Sequence, residues 1–341
     1  MKVVHFALMS PNQAGLYGTT KDLIFGERAH GIEADIVDYG FDGQEVERIL
    51  EDGWLKCVHW QEALRSDLVI RHSAAPHAVT DTIPFMLALH GRPINTFILS
   101  FQYGRKNPII ETIYQASDQK MFRGYISFWD YNTRIWREIL SPFPVYQVPA
   151  PVDLQRFTPE GKSHSFKGDY DFRILIADMW REDSCPVTPI FKALETATFL
   201  EKTTGIRVQV NAVGVPKRAR ELLSLIKAKS DNRHLGEVIP MINNIELVYR
   251  SSDAVLTGHK VATRVVRESL ACGTPLLTTD HNPDYQPSVK GTDLAEAITT
   301  LMTKGRDRTR VESRIYAEIA FNPLRTGAVM KSLFTEVLGR K

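Results

Sequence analysis

The sequence predicts an α/β protein built from two doubly wound domains, each with a mostly parallel sheet. The chain has 341 residues, 43% of them hydrophobic, which is enough for two domains with separate buried cores. Short apolar, β-branched runs alternate with helical stretches, the pattern of parallel sheets covered by helices. The alternation stops once near the middle of the chain and then restarts, so we expect two sheets.

The elements follow in order along the chain. In the first half, strands are predicted at residues 3–8, 34–37, 68–70, 94–99 and 125–128. Prolines interrupt the pattern at 141–144 and 149–151, and the polar segment 159–164 is expected to be a linker. Strands resume at 172–177, 208–213, 254–256 and 275–277. We therefore expect domains over residues 1–160 and 161–320, and a last helix over 321–341 that returns to the first domain.

Charge and cysteine content narrow the classes of function. Residues 1–165 hold 16 Lys and Arg against 19 Asp and Glu, whereas residues 166–341 hold 26 against 21. The second half therefore suits a phosphate ligand, with a merely basic surface as the alternative. The three cysteines lack the spacing of a disulfide framework or a zinc site, and no metal site is predicted. Without a long apolar run, we expect a cytoplasmic protein with no membrane span.

The first predicted strand leads through residues 10–20 into a helix that is expected to stop at Gly31. Gly15, Leu16 and Tyr17 lie at this turn from strand to helix. Glycine at such a turn lets backbone N–H groups approach an anion at the positive end of the helix. The alternative is a plain loop that needs glycine only for its turn.

A second turn from strand to helix lies at residues 262–275. Thr263 is a suitable N-cap for a helix, and Gly273 followed by Pro275 predicts its end. Glu268 lies more than one turn inside this helix, where a carboxylate gains nothing from the helix dipole. We favour a carboxylate that accepts hydrogen bonds from a ribose diol, and the alternative is an ion pair of Glu268 with Arg264 at i,i+4.

Three segments resemble the family-4 glycosyltransferases, the large retaining group of GT-B enzymes that use UDP-, GDP- or related sugars. Residues 148–159 are similar to the family's interdomain pattern. Residues 235–254 resemble its nucleotide-base loop, helix and the small-Asp-small entry to a strand. Residues 268–276, Glu-Ser-Leu-Ala-Cys-Gly-Thr-Pro-Leu, resemble the pattern that ends the donor site. The order of the segments also matches, so the resemblance implies two Rossmann-like domains that face each other across a cleft.

The resemblance implies roles for particular residues. Glu268 falls at the position of the glutamate that binds ribose. The backbone of Gly236, Glu237 and Val238 falls where the base is held. Gly15, Leu16 and Tyr17 fall where the amino-terminal loop meets the diphosphate or the transferred sugar.

The sequence departs from the family pattern at three places. Lys260 replaces the glutamate that the family has eight residues before the ribose glutamate. The diphosphate clamp lacks its lysine and has Arg181 three residues late, so we expect Arg181, together with Lys260 or Arg264, to bind the phosphates. A surface pair with Glu182 or Asp183 is the alternative for Arg181. The family's histidine is missing near residues 99–101, and His72 is a candidate cleft residue or a hydrogen-bonded histidine at a sheet edge.

The function implied is transfer of a sugar from a nucleotide sugar, with UDP-glucose or a similar UDP-sugar as the first candidate, with retention and without a metal or other cofactor. The catalytic candidates are Lys260, Arg181 and His72, and the acceptor is unknown. One alternative is a catalytically degenerate module that binds nucleotide sugars. Another is a viral type of glycosyltransferase that modifies hydroxymethylated pyrimidines in DNA. The acceptor surface would then comprise Arg105, Lys106, Arg123, Arg134 and Arg137 with Tyr103, Phe122, Tyr125, Trp129, Tyr131 and Trp136, unless these aromatic residues form core.

Overall fold

The computed structural model describes residues 1–7, 9, 14–38, 49–50, 54–72, 96–100, 123–177, 187–215, 217, 220–221, 223–224, 233–278, 285, 288–290 and 293–339. The chain divides into two compact units. Unit 1 comprises Met1–Val152 and Phe321–Lys341, and unit 2 comprises Asp153–Ala320. Unit 1 thus ends at Val152 instead of residue 160.

Two arginines explain why residues 153–160 belong to unit 2. Arg250 donates hydrogen bonds to the carbonyls of Thr158 (2.7 Å), Lys162 (3.0 Å) and Arg156 (3.1 Å). Arg314 donates to the carbonyls of Leu154, Phe157 and Ala271. The carbonyls of a segment without regular structure still need donors, and these guanidinium groups supply them.

Unit 1 contains a six-stranded parallel sheet in the order β2-β1-β5-β6-β7-β8. Val4, Phe6 and Val69 pack under one face of it with a 3-10 helix, Trp60–Arg65. A short antiparallel pair, β3 with β4, lies outside the sheet. The elements are β1 (Lys2–Ala7), α1 (Ala14–Ala29), β2 (Glu33–Asp38), β3 (Ile49–Leu50), β4 (Leu55–Lys56), β5 (Leu68–His72), β6 (Thr96–Ser100), β7 (Gly124–Ser127), α2 (Asp130–Ile139) and β8 (Val145–Gln147).

Unit 2 repeats the arrangement with a parallel sheet in the order β11-β10-β9-β12-β13-β14. Its core joins the sheet to helices α3 and α6 through residues such as Ile174, Leu194 and Ile298. The elements are β9 (Phe172–Ile176), α3 (Val187–Thr204), β10 (Val208–Val213), β11 (Leu235–Ile239), α4 (Glu246–Ser251), β12 (Ala254–Thr257), α5 (Arg264–Ala271), β13 (Leu276–Thr278), β14 (Ser288–Lys290), α6 (Leu294–Lys304) and α7 (Arg306–Ala320).

The last helix, α8 (Pro323–Gly339), packs against α1 within unit 1. The two helices touch at glycines. A Cβ atom on Gly26 would lie 2.0 Å from the carbonyl oxygen of Pro323, and one on Gly327 would lie 2.0 Å from the carbonyl oxygen of Gly26. Only glycine allows backbones to approach this closely. Among the described residues, no helix combines the length and apolar character needed to cross a membrane.

Both sheets have a topological switch point beside their first strand. In unit 1 the chain first adds β2 on one side of β1 and later places β5 on the other side. In unit 2 it adds β10 beside β9 and later places β12 on the opposite side. Open α/β sheets bind ligands outside the carboxyl ends of the strands at such points. The segments that follow β1, β5, β9 and β12 are therefore the places to look for a site.

Candidate functional site

The switch point of unit 2 lies where β9 and β12 run side by side. β12 ends at Thr257, and the loop 258–263 leads from it into α5. Lys260 is half-buried in this loop. Arg181 follows β9 in the sequence but lies outside the described residues, so its predicted phosphate contact stays a prediction.

Hydrogen bonds hold the loop 258–263 in shape. The backbone N–H of His259 donates to Oγ1 of Thr257 (3.2 Å), and the hydroxyl of Tyr285 donates to the carbonyl of His259 (2.8 Å). Within the loop, the side chain of Val261 is buried. The side chain of His259 is half-buried like that of its neighbour Lys260. The sequence reasoning missed His259, although its place after a predicted strand was a usable signal.

The N-terminus of α5 suits an anion. The helix begins directly after Thr263, as predicted, but the threonine side chain makes no capping hydrogen bond. Its Oγ1 is buried and has no hydrogen-bond partner among the described residues. No acidic residue occupies the first turn. The helix therefore presents N–H groups and a positive dipole end at the carboxyl end of β12 without a carboxylate of its own to neutralise them.

Glu268 is buried within α5 and holds two partners. Its Oε1 forms the ion pair with Arg264 that the sequence left as the alternative. Its Oε2 lies 3.4 Å from the hydroxyl of Tyr249. The guanidinium of Arg264 in turn lies 5.8 Å from the ring centre of Phe157, which is fully buried. Lys260, Thr263, Arg264 and Glu268 are thus consecutive parts of one loop-helix segment at the switch point.

The structure corrects the expectation of a base loop at residues 235–238. Gly236, Glu237 and Val238 lie within strand β11, next to β10, and not in a loop. The register shifts there, so that the N–H of Glu237 donates to Oδ1 of Asn211 (2.8 Å). A Cβ on Gly236 would lie 2.2 Å from the same Oδ1, which explains the glycine. The segment is a strand because it pairs with β10, and the local sequence does not show that pairing.

The carboxylate of Glu237 is also engaged within unit 2. It accepts the N–H of Lys167 (3.2 Å) and pairs with Nε2 of His164 (2.9 Å). The sheet order places β11 three strands from β12, which corresponds to about 14 Å. The structure therefore does not bring Gly236–Val238 into contact with Lys260 through neighbouring strands.

The switch point of unit 1 carries the other predicted residues. Gly15, Leu16 and Tyr17 form the first turn of α1, and the side chains of Leu16 and Tyr17 are half-buried. His72 is the last residue of β5 and is buried. Its Nε2 lies 3.0 Å from Nδ1 of His5, and its Nδ1 lies 3.3 Å from Oγ1 of Thr20. Both ring nitrogens are thus used inside unit 1, which matches the alternative of a hydrogen-bonded histidine.

Burial also sets the charge of His72. The pKa of His72 is lowered well below its ordinary value of 6.5, chiefly because burial disfavours the cation and secondly because of His5. The imidazole is therefore neutral at physiological pH. A neutral ring with both nitrogens occupied does not offer a proton or a charge to a ligand in this arrangement.

The structure corrects part of the proposed basic and aromatic acceptor surface. Tyr125 and Trp136 are completely buried, with ring centres 5.1 Å apart, and Trp129 is also buried. Of the basic residues, Arg134 is exposed and pairs with Asp130 at i,i+4 (3.0 Å). Arg137 donates to the carbonyl of Val145 (3.3 Å). These aromatic residues are core residues, while Tyr103, Arg105, Lys106 and Phe122 lie outside the described residues.

Comparison with known proteins identifies the fold. No protein-family model and no curated protein matches the chain. Solved structures do match. A glycosyltransferase from Rickettsia africae ESF-5 is 13% identical over 100% of this chain and 99% of that one, with a TM-score of 0.65. Anabaena Alr3699/HepE in complex with UDP-glucose is 12% identical over 98% and 99%, with a TM-score of 0.65.

A third solved structure is an alpha-glucosyltransferase in complex with UDP and a 13-mer DNA containing an HMU base. It is 12% identical over 98% of this chain and 99% of that one, with a TM-score of 0.63. All three likenesses extend over nearly the full length of both chains. The chain therefore has the fold of these glycosyltransferases, the GT-B fold of two Rossmann-like α/β units.

Proposed function

We propose that this chain is a glycosyltransferase that binds a nucleotide sugar at the carboxyl ends of β9 and β12, with a UDP-sugar as the first donor to test. The observation that carries the proposal is the full-length likeness to enzymes solved with UDP or UDP-glucose. A second support is the loop-helix segment 258–271, which combines Lys260 with a helix N-terminus lacking acidic residues. The finer assignment to the retaining family-4 enzymes rests on the three sequence segments.

In this proposal the diphosphate binds against Lys260, the first N–H groups of α5 and Thr263. Arg181, which follows β9 in the sequence, is a further candidate for the phosphates. The buried Oγ1 of Thr263 gains the hydrogen-bond partner that it lacks among the described residues. Such charge-assisted hydrogen bonds are about twice as strong as neutral ones.

Glu268 and Arg264 exchange partners when the donor binds. In the structure their side chains neutralise each other. A ribose diol that donates two hydrogen bonds to Glu268 releases the guanidinium of Arg264 to the phosphates. The ion pair thus keeps a buried carboxylate paired until a ligand replaces the arginine. Gly15–Tyr17 remain the candidates for contact with the sugar or diphosphate.

The chemical step that we propose is retaining and needs no metal. The bond between the sugar C1 and the leaving phosphate oxygen breaks, and the acceptor oxygen forms its bond to C1 on the same face. The acceptor hydroxyl gives its proton to the leaving phosphate oxygen, so no protein base is required. Lys260, Arg264 and the N–H groups of α5 stabilise the negative charge that grows on the nucleoside diphosphate.

A panel of UDP-, GDP- and ADP-sugars tests the proposal. Calorimetry measures binding, and mass spectrometry measures hydrolysis or transfer. Lys260→Met is expected to weaken binding of the preferred donor about tenfold, because one charge-assisted phosphate contact is lost. The matched control Lys192→Met changes an exposed lysine on α3 and leaves affinity unchanged. The donor site is refuted if no donor binds, or if Lys260→Met binds as tightly as wild type. Binding without hydrolysis or transfer to any acceptor identifies a nucleotide-sugar-binding module instead of an enzyme.

Hydroxymethylated DNA is the second acceptor class to include. The likeness to the alpha-glucosyltransferase solved with an HMU-containing DNA favours its inclusion. Transfer to a duplex with hydroxymethyluracil that falls steeply between 50 and 200 mM salt, roughly as expected for phosphate contacts, would establish this acceptor. Equal activity with and without DNA would exclude it.

A further inference from the structure

A chain of four buried side chains links α1 to the two strands at the switch point of unit 1. Oε2 of Glu27 on α1 lies 2.8 Å from Nε2 of His5 on β1. Nδ1 of His5 lies 3.0 Å from Nε2 of His72 on β5. Nδ1 of His72 lies 3.3 Å from Oγ1 of Thr20, which brings the chain back to α1. None of the four residues is more than 2% exposed.

The chain has a direction that follows from its chemistry. An ionised Glu27 only accepts hydrogen bonds, so Nε2 of His5 must carry the hydrogen. In a neutral His5, Nδ1 then accepts from Nε2–H of His72. In a neutral His72, Nδ1 accepts from the hydroxyl of Thr20. With Glu27 ionised and both rings neutral, both rings are Nε2–H tautomers, and the carboxylate at one end fixes the hydroxyl at the other.

One additional proton would reverse every hydrogen bond in the chain. With a proton shared between Glu27 and His5, Nδ1 of His5 donates to Nε2 of His72. His72 then carries its hydrogen on Nδ1 and donates to Thr20. The two arrangements are distinguishable because the hydrogen of His72 lies on different nitrogens.

The hydroxyl of Thr20 differs from those of other helical threonines. Thr196, Thr299 and Thr335 donate to the carbonyl four residues earlier, the usual bond of a threonine inside a helix. The bond recorded for Thr20 instead goes to a ring on a neighbouring strand. Leu16 and Tyr17 precede Thr20 by four and three residues, so the same turn of helix carries the proposed donor contact and this anchor.

We propose that Glu27 and His5 are positioning residues: they hold His72 as the Nε2–H tautomer, which anchors Thr20 and thereby sets the first turn of α1 for the donor. This inference rests on the proposed function, because it assigns these four hydrogen-bonded side chains to the site of sugar transfer. His72 acts here through Thr20 and not by touching the substrate. Glu27 lies two turns from Thr20 on the same helix, so the chain fixes α1 to β1 and β5 at two points.

Three variants and a control test the proposal. Thr20→Val removes the hydroxyl at nearly constant volume, Glu27→Gln removes the charge at the other end, and His72→Gln keeps a donor at the Nε2 position. Glu33→Gln is the control, since the carboxylate of Glu33 on β2 is 68% exposed. Thermal unfolding identifies any variant that fails to fold. Ring ¹⁵N chemical shifts report the tautomer of each histidine, and steady-state kinetics report the KM for the donor.

In wild type, His5 and His72 are expected to carry hydrogen on Nε2 only. Glu27→Gln is expected to give a mixture of tautomers, because an amide both donates and accepts. Thr20→Val is expected to raise the donor KM about tenfold, because the α1 turn loses its anchor. His72→Gln is expected to raise the donor KM by a similar factor, since the row of hydrogen bonds from Glu27 no longer reaches Thr20. The control is expected to match wild type.

Two results would overturn the proposal. One is a wild-type His72 with its hydrogen on Nδ1, and the other is a folded Thr20→Val protein with the KM of wild type. If wild type uses no nucleotide sugar, the proposed function fails, but the positioning role is still decided by amide hydrogen exchange. Exchange at residues 18–21, whose N–H groups bond back to the first turn of α1, is then expected to be about tenfold faster in Thr20→Val than in Glu33→Gln. Equal exchange rates would refute it.

Discussion

The two units share one sheet order but place their ionisable groups differently at the switch point. In unit 1, His5, His72 and Glu27 are sealed between α1 and the sheet. In unit 2, Lys260 and His259 lie half-buried in the loop that leads to the N-terminus of α5. Since an anionic ligand needs accessible cations such as Lys260, the difference supports the proposal that unit 2 binds the phosphates. The buried, hydrogen-bonded side chains of His5, His72 and Glu27 in unit 1 are suited to holding α1 against the sheet.

The largest effect is expected where α8 contacts α1 in unit 1. Gly327→Ala puts a methyl group 2.0 Å from the carbonyl oxygen of Gly26, and the next nearest atoms, the carbonyl carbon of Gly26 and the nitrogen of Glu27, are also backbone. We expect the free energy of unfolding to fall by about 3 kcal/mol, despite the better helix propensity of alanine. Urea unfolding followed by tryptophan fluorescence measures the change, since four of the five tryptophans lie in unit 1: Trp54, Trp60, Trp129 and Trp136.

Gly339→Ala is the matched control on the same helix. Apart from the backbone of its own helix, no atom of the described residues lies within 4 Å of a Cβ at this position. Its unfolding midpoint is expected to equal or slightly exceed that of wild type. If the two alanine variants unfold alike, close backbone contact does not hold α8 on α1, and the account of unit 1 must change.

A smaller effect is expected in unit 2, at the arginine that holds residues 156–162. Arg250→Met removes three hydrogen bonds to backbone carbonyls while keeping an apolar stem. We expect a loss of about 2 kcal/mol, because three partly buried carbonyls lose a charged donor. Hydrogen exchange mass spectrometry is expected to show faster exchange in β9 and β10, with unchanged rates in β1 and β5. Exchange that rises equally in both units would contradict the separation into two units.

Arg308→Met serves as the comparison for this arginine. Arg308 also lies in unit 2, but its side chain is 72% exposed and pairs with Glu312 at i,i+4. Exposed pairs of this kind contribute about 0.5 kcal/mol or less. The contrast between the two variants separates backbone anchoring from the general loss of a positive charge.

The sequence predicted the repeated architecture because the buried strands have strong local signals. β9 and β10 are buried strands rich in Ile, Leu and Val. The five strands that were predicted in unit 1 differ from the observed ones by only one or two residues at their ends. The sequence analysis missed five strands: β3, β4, β8, β11 and β14. Leu235–Ile239 contains glycine and glutamate and forms a strand only because β10 pairs with it. Ser288–Lys290 is a three-residue edge strand, too short to show a period.

The sequence predicted those parts of the candidate site that depend on residues close together in the chain. The start of α5 after Thr263 and the pairing of Arg264 with Glu268 both follow from spacing within one helix. The hydrogen-bonded chain of unit 1 is not local, since His5 and His72 are 67 residues apart and His5 and Glu27 are 22 apart. Only the strand order brings these residues together. His72 could therefore be selected from the sequence, but its partners could not.

The smallest effect concerns pH and is expected in unit 1. The pKa of His72 in the folded protein is lowered well below 6.5 by burial. Above pH 6.5 the ring is neutral in both the folded and the unfolded state, so it contributes no pH dependence. Below pH 6.5, His72 binds a proton in the unfolded chain but stays neutral in the folded protein. The free energy of unfolding then falls, by at most about 1.4 kcal/mol for each pH unit, until the folded pKa is reached.

His72→Gln is expected to reduce this dependence by the contribution of one proton between pH 6.5 and 5.5. Urea unfolding at both values, followed by tryptophan fluorescence, measures the slope irrespective of the variant's overall stability. His164→Gln in unit 2 is the control, because this ring is 32% exposed and the substitution is expected to leave the slope of unit 1 unchanged. If His72→Gln and wild type have the same slope, His72 takes up protons equally in both states. A buried, neutral His72 would then be the wrong description of unit 1, and the contrast with the accessible loop of unit 2 would lose its physical basis.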